Sequence, residues 1–378
     1  MTLIKDEEAE RLIDGLPLKM PRVKSVSTCN AVNMLSSENV TSPSDLPENG
    51  IAAQDGYAIN IMDGAMNYTV KDSAVELKPG EATYVGTGWT IPSGANSVIR
   101  IESAKVDGNK LFPIKDPKPW GDIEMSGDDV KRGSIIIERG KMITPYHISL
   151  FSALGLRKVK VFDLRVGIIN VGDEIVKCNS PKKGIRDSIT PLLKGLMPFA
   201  SFRTAHAPDD KTKIVSLIER FSRACDLVMT IGGSSVGKKD LTKDAIKDVG
   251  EIVFEGVQTN IVKRGGVGFV NGTPVLSLPG RIVSAVTVFH VHGLHIISKL
   301  VGSELRKYGE VSLSEGIVVR HSMNSTFLFK VEDNSATPLK WGAGLYSQII
   351  KANAFARLER NRDYSKGEKI RIQFLIKS

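Results

Sequence analysis

Cysteine is scarce in this chain: its 378 residues include three, Cys29, Cys178 and Cys225. They lie far apart and are odd in number, which excludes a disulfide framework and the paired spacing of a structural zinc site. They read as reduced thiols of a cytoplasmic protein. Long hydrophobic runs are also lacking. No stretch of about 18 apolar residues exists, so no transmembrane helix is expected. Met1 to Asp14 is charged rather than apolar, so no secretory signal is expected. Aromatics make up 6% of the chain, and none is interleaved with the basic clusters, which argues against single-stranded nucleic acid. Acidic residues are outnumbered, 42 against 51 Lys and Arg, leaving a formal charge of +9. That balance favours an anionic partner, which could be nucleic acid, a membrane surface or a phosphorylated small molecule. Most of the cations read as a generally basic, solvated surface.

The length exceeds that of one ordinary domain. Residues 1 to about 45 begin with a helical pattern, and Ser42 to Gly50 is rich in turn residues. From Ile51 to about Gly133 the chain is Gly-rich with short β-prone runs at Ala82–Val85, Ser97–Ile101 and Lys110–Ile114, the texture of a small β domain. A helix is expected near Pro145–Leu154, ending at Gly155. The texture changes at Leu164. Arg165–Val171 (RVGIINV) and Leu227–Ile231 (LVMTI) are continuous apolar runs, hence buried strands. Ser201–Ala205, Ile252–Phe254 and Val275–Leu278 are further strands. Between them Ile189, Leu192, Leu193 and Leu196 repeat at helical spacing, as do Ile214, Leu217, Ile218 and Phe221 behind a cap at Asp209 or Asp210. Helices are also expected at Thr242–Val249 and Val283–Leu300. This alternation predicts a parallel sheet with helices on both faces. After about Gly302 the chain turns β-like again, to Ile370–Leu375.

In a doubly wound sheet, ligands bind beyond the carboxyl ends of the strands. Three turns occupy that edge: Gly172-Asp173-Glu174, Gly232-Gly233-Ser234-Ser235-Val236-Gly237 and Pro279-Gly280. One such turn alone would be a tight bend and nothing more. Three at one edge, interleaved with Asp173, Glu174, Asp187, Asp209, Asp210 and Asp240, point to a functional site. Glycine N–H groups can cradle phosphate, and hard carboxylate oxygens suit Mg²⁺ bridged to substrate phosphates. For Asp209, Asp210 and Asp240 the competing reading is helix capping. Gly232 to Lys238 also satisfies the glycine and lysine spacing of a nucleotide-binding P-loop, but Lys239 stands where that loop needs Ser or Thr. His290, His292 and His295 on an apolar helix read as packed residues rather than metal ligands.

The sequence resembles the molybdopterin molybdenumtransferases, the MoeA type, related to the gephyrin E domain. The matching stretches run in family order: AAQDGYA (Ala52–Ala58), VGTGWTIPSGANSVIRIE (Val85–Glu102), SGDDVKRGSII (Ser126–Ile136), GDEIV (Gly172–Val176), GIRDS (Gly184–Ser188), PDD (Pro208–Asp210), TIGGSSVGKKD (Thr230–Asp240), SLPG (Ser277–Gly280) and KANAF (Lys351–Phe355). Their combination is specific, though no single piece would be. The resemblance implies an α/β multi-domain chain. Residues 1–45 and 134–163 would form an elongated N-terminal domain, and 46–133 a small β domain inserted in it. Residues 164–302 would form a doubly wound molybdopterin-binding α/β domain, and 303–378 a C-terminal β-barrel.

The resemblance further implies insertion of molybdate into adenylylated molybdopterin, with Mg²⁺ assisting cleavage of the nucleotide. It implies a homodimer and, as a candidate partner, a molybdopterin adenylyltransferase. Carried over residue by residue, Asp55, Asp129, Glu174 and Lys263 take catalytic roles. Thr87, Asp187, Asp209, Gly232, Gly233, Ser235, Gly237, Pro279 and Gly280 bind substrate. Asp173, Glu174 and Asp240 hold the metal. Four positions depart from the family pattern. Gln54 stands for Met, and Ile189 for Asn. Asn260-Ile261-Val262-Lys263-Arg264 stands for K-P-G-K-P, and Pro279-Gly280-Arg281-Ile282 for P-G-N-P. They leave open a non-catalytic molybdopterin- or nucleotide-binding protein on the same scaffold.

Overall fold

The apolar runs RVGIINV and LVMTI become neighbouring parallel strands at the heart of a six-stranded sheet. The computed structural model describes residues 2–177, 179–181, 183–233 and 240–376. In chain order this domain comprises β1 (Arg165–Val171), α1 (Ile189–Leu196), β2 (Ser201–Ala207), α2 (Lys211–Ser222) and β3 (Leu227–Gly232). It continues with α3 (Leu241–Val249), β4 (Glu251–Phe254), β5 (Gly266–Val270), β6 (Thr273–Leu278) and the long helix α4 (Ile282–Val301). The strand order is β2-β1-β3-β6-β5-β4.

Successive strand residues point to opposite faces, and the burial follows that period. Val166, Ile168, Leu227, Met229 and Leu276 join the core that holds α1 and α4. Ile169, Val171, Val228 and Val275 join the one that holds α2 and α3. Both faces are covered, which is why these strands read as predominantly apolar runs rather than alternating ones.

The expected parallel sheet holds for four strands and is corrected at the other two. β2, β1, β3 and β6 are parallel, but β5 runs antiparallel to β6 and β4 antiparallel to β5. The strand β5 is interrupted by glycine, with Gly266 and Gly268 inside it, and glycine weakens a strand signal. The glycines serve packing instead: a Cβ on Gly268 would lie 2.5 Å from Ile246 Cγ2 of α3. The hairpin turn is Asn271-Gly272, at φ +52° and +80°, the sequence pair that most strongly favours a two-residue hairpin.

Helix α4 is the one helix among the described residues long and apolar enough to cross a membrane, and 94% of that window is buried within the protein. A π-helical turn, Phe289–Gly293, interrupts it. Its histidines are packed, as their setting suggested. His290 Nδ1 donates to the Val286 carbonyl at 2.7 Å, and its Nε2 accepts from the Ile376 N–H at 3.0 Å. His295 Nε2 lies 2.8 Å from Asp14 Oδ1. His292 packs edge-on against Phe254, ring centres 5.2 Å apart.

By contact the chain forms two compact units: Met1–Glu38 with Glu138–Ile148 and Lys158–Ser378, and Asn39–Ile137 with Ser149–Arg157. The first unit contains the α/β domain and the pairing of Arg22–Ser27 with Lys158–Asp163. It also contains a closed barrel of five strands, Tyr308–Leu313, Asn324–Glu332, Ser335–Pro338, Ala354–Leu358 and Lys369–Phe374. The second unit is built on a curled six-stranded sheet in which Gly56–Ile59 lies between Glu81–Val85 and the edge strand Ser97–Arg100. That sheet is buried on both faces, with Ala58, Val85 and Val98 on one and Ile59, Ala82 and Ile99 on the other.

Candidate functional site

At the carboxyl ends of β1, β3 and β6 lies a cleft of about 960 Å³, where a doubly wound sheet receives its ligand. The three glycine turns meet there: Glu174, Gly232 with Gly233, and Pro279 with Gly280 all line it. Gly232 and Gly233 have φ of +84° and +73°. A Cβ on Gly232 would sit 2.7 Å from the Val171 carbonyl, and one on Gly233 2.3 Å from Thr242 Oγ1. Only glycine allows the chain to leave β3 in this direction. Ser235 and Gly237, assigned from the same turn, lie outside the described residues.

The structure separates the carboxylates into two kinds. Asp209 and Glu174 line the cleft. Their two turns are joined, since the Asp209 N–H donates to Asp173 Oδ1 at 3.3 Å. Asp210, not Asp209, is the cap of α2, accepting from the N–H groups of Thr212 and Lys213. Asp240 caps α3, accepting from the Lys243 N–H at 3.3 Å, and its other oxygen pairs with the Lys243 ammonium at 3.1 Å. The Lys243 side chain is 6% exposed, so Asp240 is its charge partner as well as a cap. Asp187 is committed to structure too. Its Oδ2 accepts from Asn170 Nδ2 at 2.7 Å, and its Oδ1 from the N–H groups of Ile189 and Thr190 at the start of α1.

Among the described residues no group of three His, Cys, Asp or Glu side chains converges as a metal cage. Asp173, Glu174 and Asp240 therefore do not close around an ion by themselves. Mg²⁺ does not require such a cage, because it commonly takes one or two carboxylates and completes its shell with water and phosphate. Glu174 and Asp209 offer that donor set.

Cations line the same cleft. Lys263, Arg264 and Arg281 line the cleft, and neither Lys263 nor Arg281 forms an ion pair with a described residue. Asn260, which stands at a family lysine, donates to Ser325 Oγ of the barrel at 3.1 Å. Beside it Ile261 is held at φ +76°. A β-branched residue there is strained by about 1–3 kcal/mol. Burial of Val262 and the Gly265 N–H to Val262 carbonyl bond at 2.8 Å hold the loop in place.

Sequence reasoning missed three contributors. His206 Nε2 donates to the Gly172 carbonyl at 2.8 Å and steadies the Asp173-Glu174 turn. Trp341 and Ala343 come from the barrel region and complete the cleft. No motif pointed to them, because their approach depends on how the barrel docks on the sheet.

In the second unit the structure brings together Asp55 and Thr87. The Thr87 N–H and hydroxyl both donate to Asp55 Oδ1, at 2.7 and 2.8 Å. The backbone bond first and the hydroxyl second hold the Asp55 carboxyl below its ordinary pKa, so it is an anion at neutral pH. Asp129 is exposed on a loop of the same unit, its N–H donating to the Leu46 carbonyl at 3.1 Å.

Residues 4–155 match the family model of the MoeA N-terminal region (domain I and II), and residues 167–299 match that of the "Probable molybdopterin binding domain". The chain belongs to the MoeA-type molybdopterin molybdenumtransferase family. It is 27% identical to the molybdopterin molybdenumtransferase of Haemophilus influenzae, with 98% of each chain covered. It is 26% identical to the gephyrin of Dictyostelium discoideum over 79% of this chain and 51% of that one. Among solved structures, the MoeA protein of Pyrococcus horikoshii OT3 superposes with a TM-score of 0.79 at 25% identity, covering 99% of this chain and 100% of that one. The MoeA fold read from the sequence is therefore the fold observed, with its α/β domain and C-terminal barrel.

Proposed function

We propose that the chain acts in molybdenum cofactor biosynthesis by inserting molybdate into adenylylated molybdopterin, in the cleft at the end of β1, β3 and β6. The observation that carries this reading is the lining of the cleft by glycine turns, two carboxylates and three cations together. Gly232, Gly233, Glu174 and Asp209 line the same cleft as Lys263, Arg264 and Arg281. Glycine turns and cations suit phosphate and oxyanion. Glu174 and Asp209 would hold Mg²⁺, which supplies charge neutralisation at the nucleotide phosphate when bound. The chain's own residues bind and orient: the turn after β3 receives the phosphate, and Lys263 offsets the charge of phosphate and molybdate.

The test is to supply adenylylated molybdopterin, molybdate and Mg²⁺ and to follow AMP release alongside reconstitution of a molybdenum-dependent apoenzyme. Complementation of a molybdenumtransferase-deficient cell should agree. A second reading, a non-catalytic molybdopterin- or nucleotide-binding protein, draws on the commitment of Asp240 to Lys243 and of Asn260 to Ser325. It predicts binding of the nucleotide with no AMP released. The proposed assembly is a homodimer receiving substrate from a molybdopterin adenylyltransferase. Light scattering giving a monomer at micromolar concentration would count against the dimer.

A further inference from the structure

We infer that Trp341 is the stacking platform for a flat heteroaromatic ring carried on the phosphate that the cleft binds. The inference rests on the reading of the cleft as an activated-pterin site, and adds to it the residue that receives the ring. Trp341 lines the cleft and is 40% exposed. One face of its indole is already covered, because the His321 ring stacks on it with centres 4.7 Å apart and planes at 29°. Its orientation is set by Nε1, which donates to the Thr326 carbonyl at 3.1 Å. The loop that carries it is tied to the α/β domain at two points. The Val283 N–H donates to the Ala343 carbonyl at 2.9 Å, and the hydroxyls of Ser188 and Tyr346 are 2.8 Å apart. A large apolar surface, locked in plane and left partly open beside phosphate-binding turns, is a costly arrangement for a solvated loop and a suitable one for a ring. Stacking on an indole accepts any flat heterocycle, because each presents a π-face.

Two rings of an adenylylated pterin fit this chemistry, adenine and the pterin itself. The experiment separates them. AMP, a monophosphorylated pterin and ribose 5-phosphate are titrated into the parent, Trp341→Leu and Trp341→Phe by calorimetry, with tryptophan fluorescence followed in parallel. The expected result is that one ring-bearing probe binds Trp341→Leu roughly five- to a hundredfold more weakly than the parent. Trp341→Phe should retain most of that affinity, and ribose 5-phosphate should bind all three alike. The probe that quenches the parent's fluorescence but not that of Trp341→Phe names the ring. If both ring-bearing probes bind Trp341→Leu as tightly as the parent, the platform is refuted and Trp341 only packs the barrel. If the parent binds none of the three probes, the phosphate-site reading fails first and the platform with it.

Discussion

Replacing Lys263 with alanine tests the cleft most directly. The family pattern places two lysines in this loop. Here Asn260 occupies one position, carries no charge, and is tied to Ser325 at 3.1 Å. The remaining cations on the cleft wall are Lys263, Arg264 and Arg281. An ammonium is a compact charge on a flexible stem, suited to an oxyanion. A hydrogen bond to a charged partner contributes about 1.5–3 kcal/mol, so the variant should bind molybdate or AMP roughly ten- to a hundredfold more weakly. The fold should be untouched. Lys263 is exposed and pairs with no described carboxylate, so its removal should change stability by no more than about 0.5 kcal/mol. Calorimetric titration of parent and variant at low and high salt measures both the loss and its screening. An affinity within about twofold of the parent, with the melting curve unchanged, would mean that Lys263 is solvated and the oxyanion sits elsewhere.

Asp240→Ala should lower stability by at least about 1 kcal/mol through loss of the α3 cap, and more because the buried Lys243 loses its partner. A chemical denaturation curve checks this, and an unchanged midpoint would free Asp240 for a role at the metal. Gly233→Ala places a Cβ 2.3 Å from Thr242 Oγ1 at φ +73°. It should cost about 1–2 kcal/mol from the backbone alone and weaken phosphate binding together with stability, whereas loss of one without the other would show that the turn does not shape the site. Burial lowers the pKa of His290 to about 4 and of His292 to about 3. Around His292 stand Asp6, which opposes the shift, and Arg357, His295 and Arg306, which add to it. Because the unfolded chain takes up these protons near pH 6.5 and the folded one does not, stability should be level above about pH 7. It should fall as the pH drops toward 4, by up to about 1.4 kcal/mol per pH unit for each histidine. A denaturation midpoint that stays constant from pH 7 to 5 would refute their burial as neutral rings.

Much of the α/β domain was legible in the sequence, for a local reason. RVGIINV and LVMTI are mostly apolar because both faces of their sheet are covered. Ile189, Leu192, Leu193 and Leu196 share one face of α1, and 3.6-residue spacing needs no partner to be read. The glycine turns were legible as well, since Gly232 and Gly233 mark a backbone that no other residue could follow. The strand Gly266–Val270 was hidden because Gly268 answers to α3 and Gly266 to the neighbouring Phe254–Glu255 backbone, both brought against it from elsewhere in the chain. The same division runs through the site. That a carboxylate stands at positions 209, 210 and 240 is sequence. That Asp209 faces the cleft, while Asp210 and Asp240 each turn an oxygen to helix N–H groups, is decided by chain direction and tertiary packing. Trp341 marks the limit. Nothing near it in sequence announces a ligand, and it reaches the cleft only because Val283 and Ser188 hold its loop across more than fifty residues of intervening chain. Periodicity and turn chemistry are encoded by neighbours along the chain, whereas the wall a distant loop lends to a cleft is fixed only when the barrel packs against the sheet.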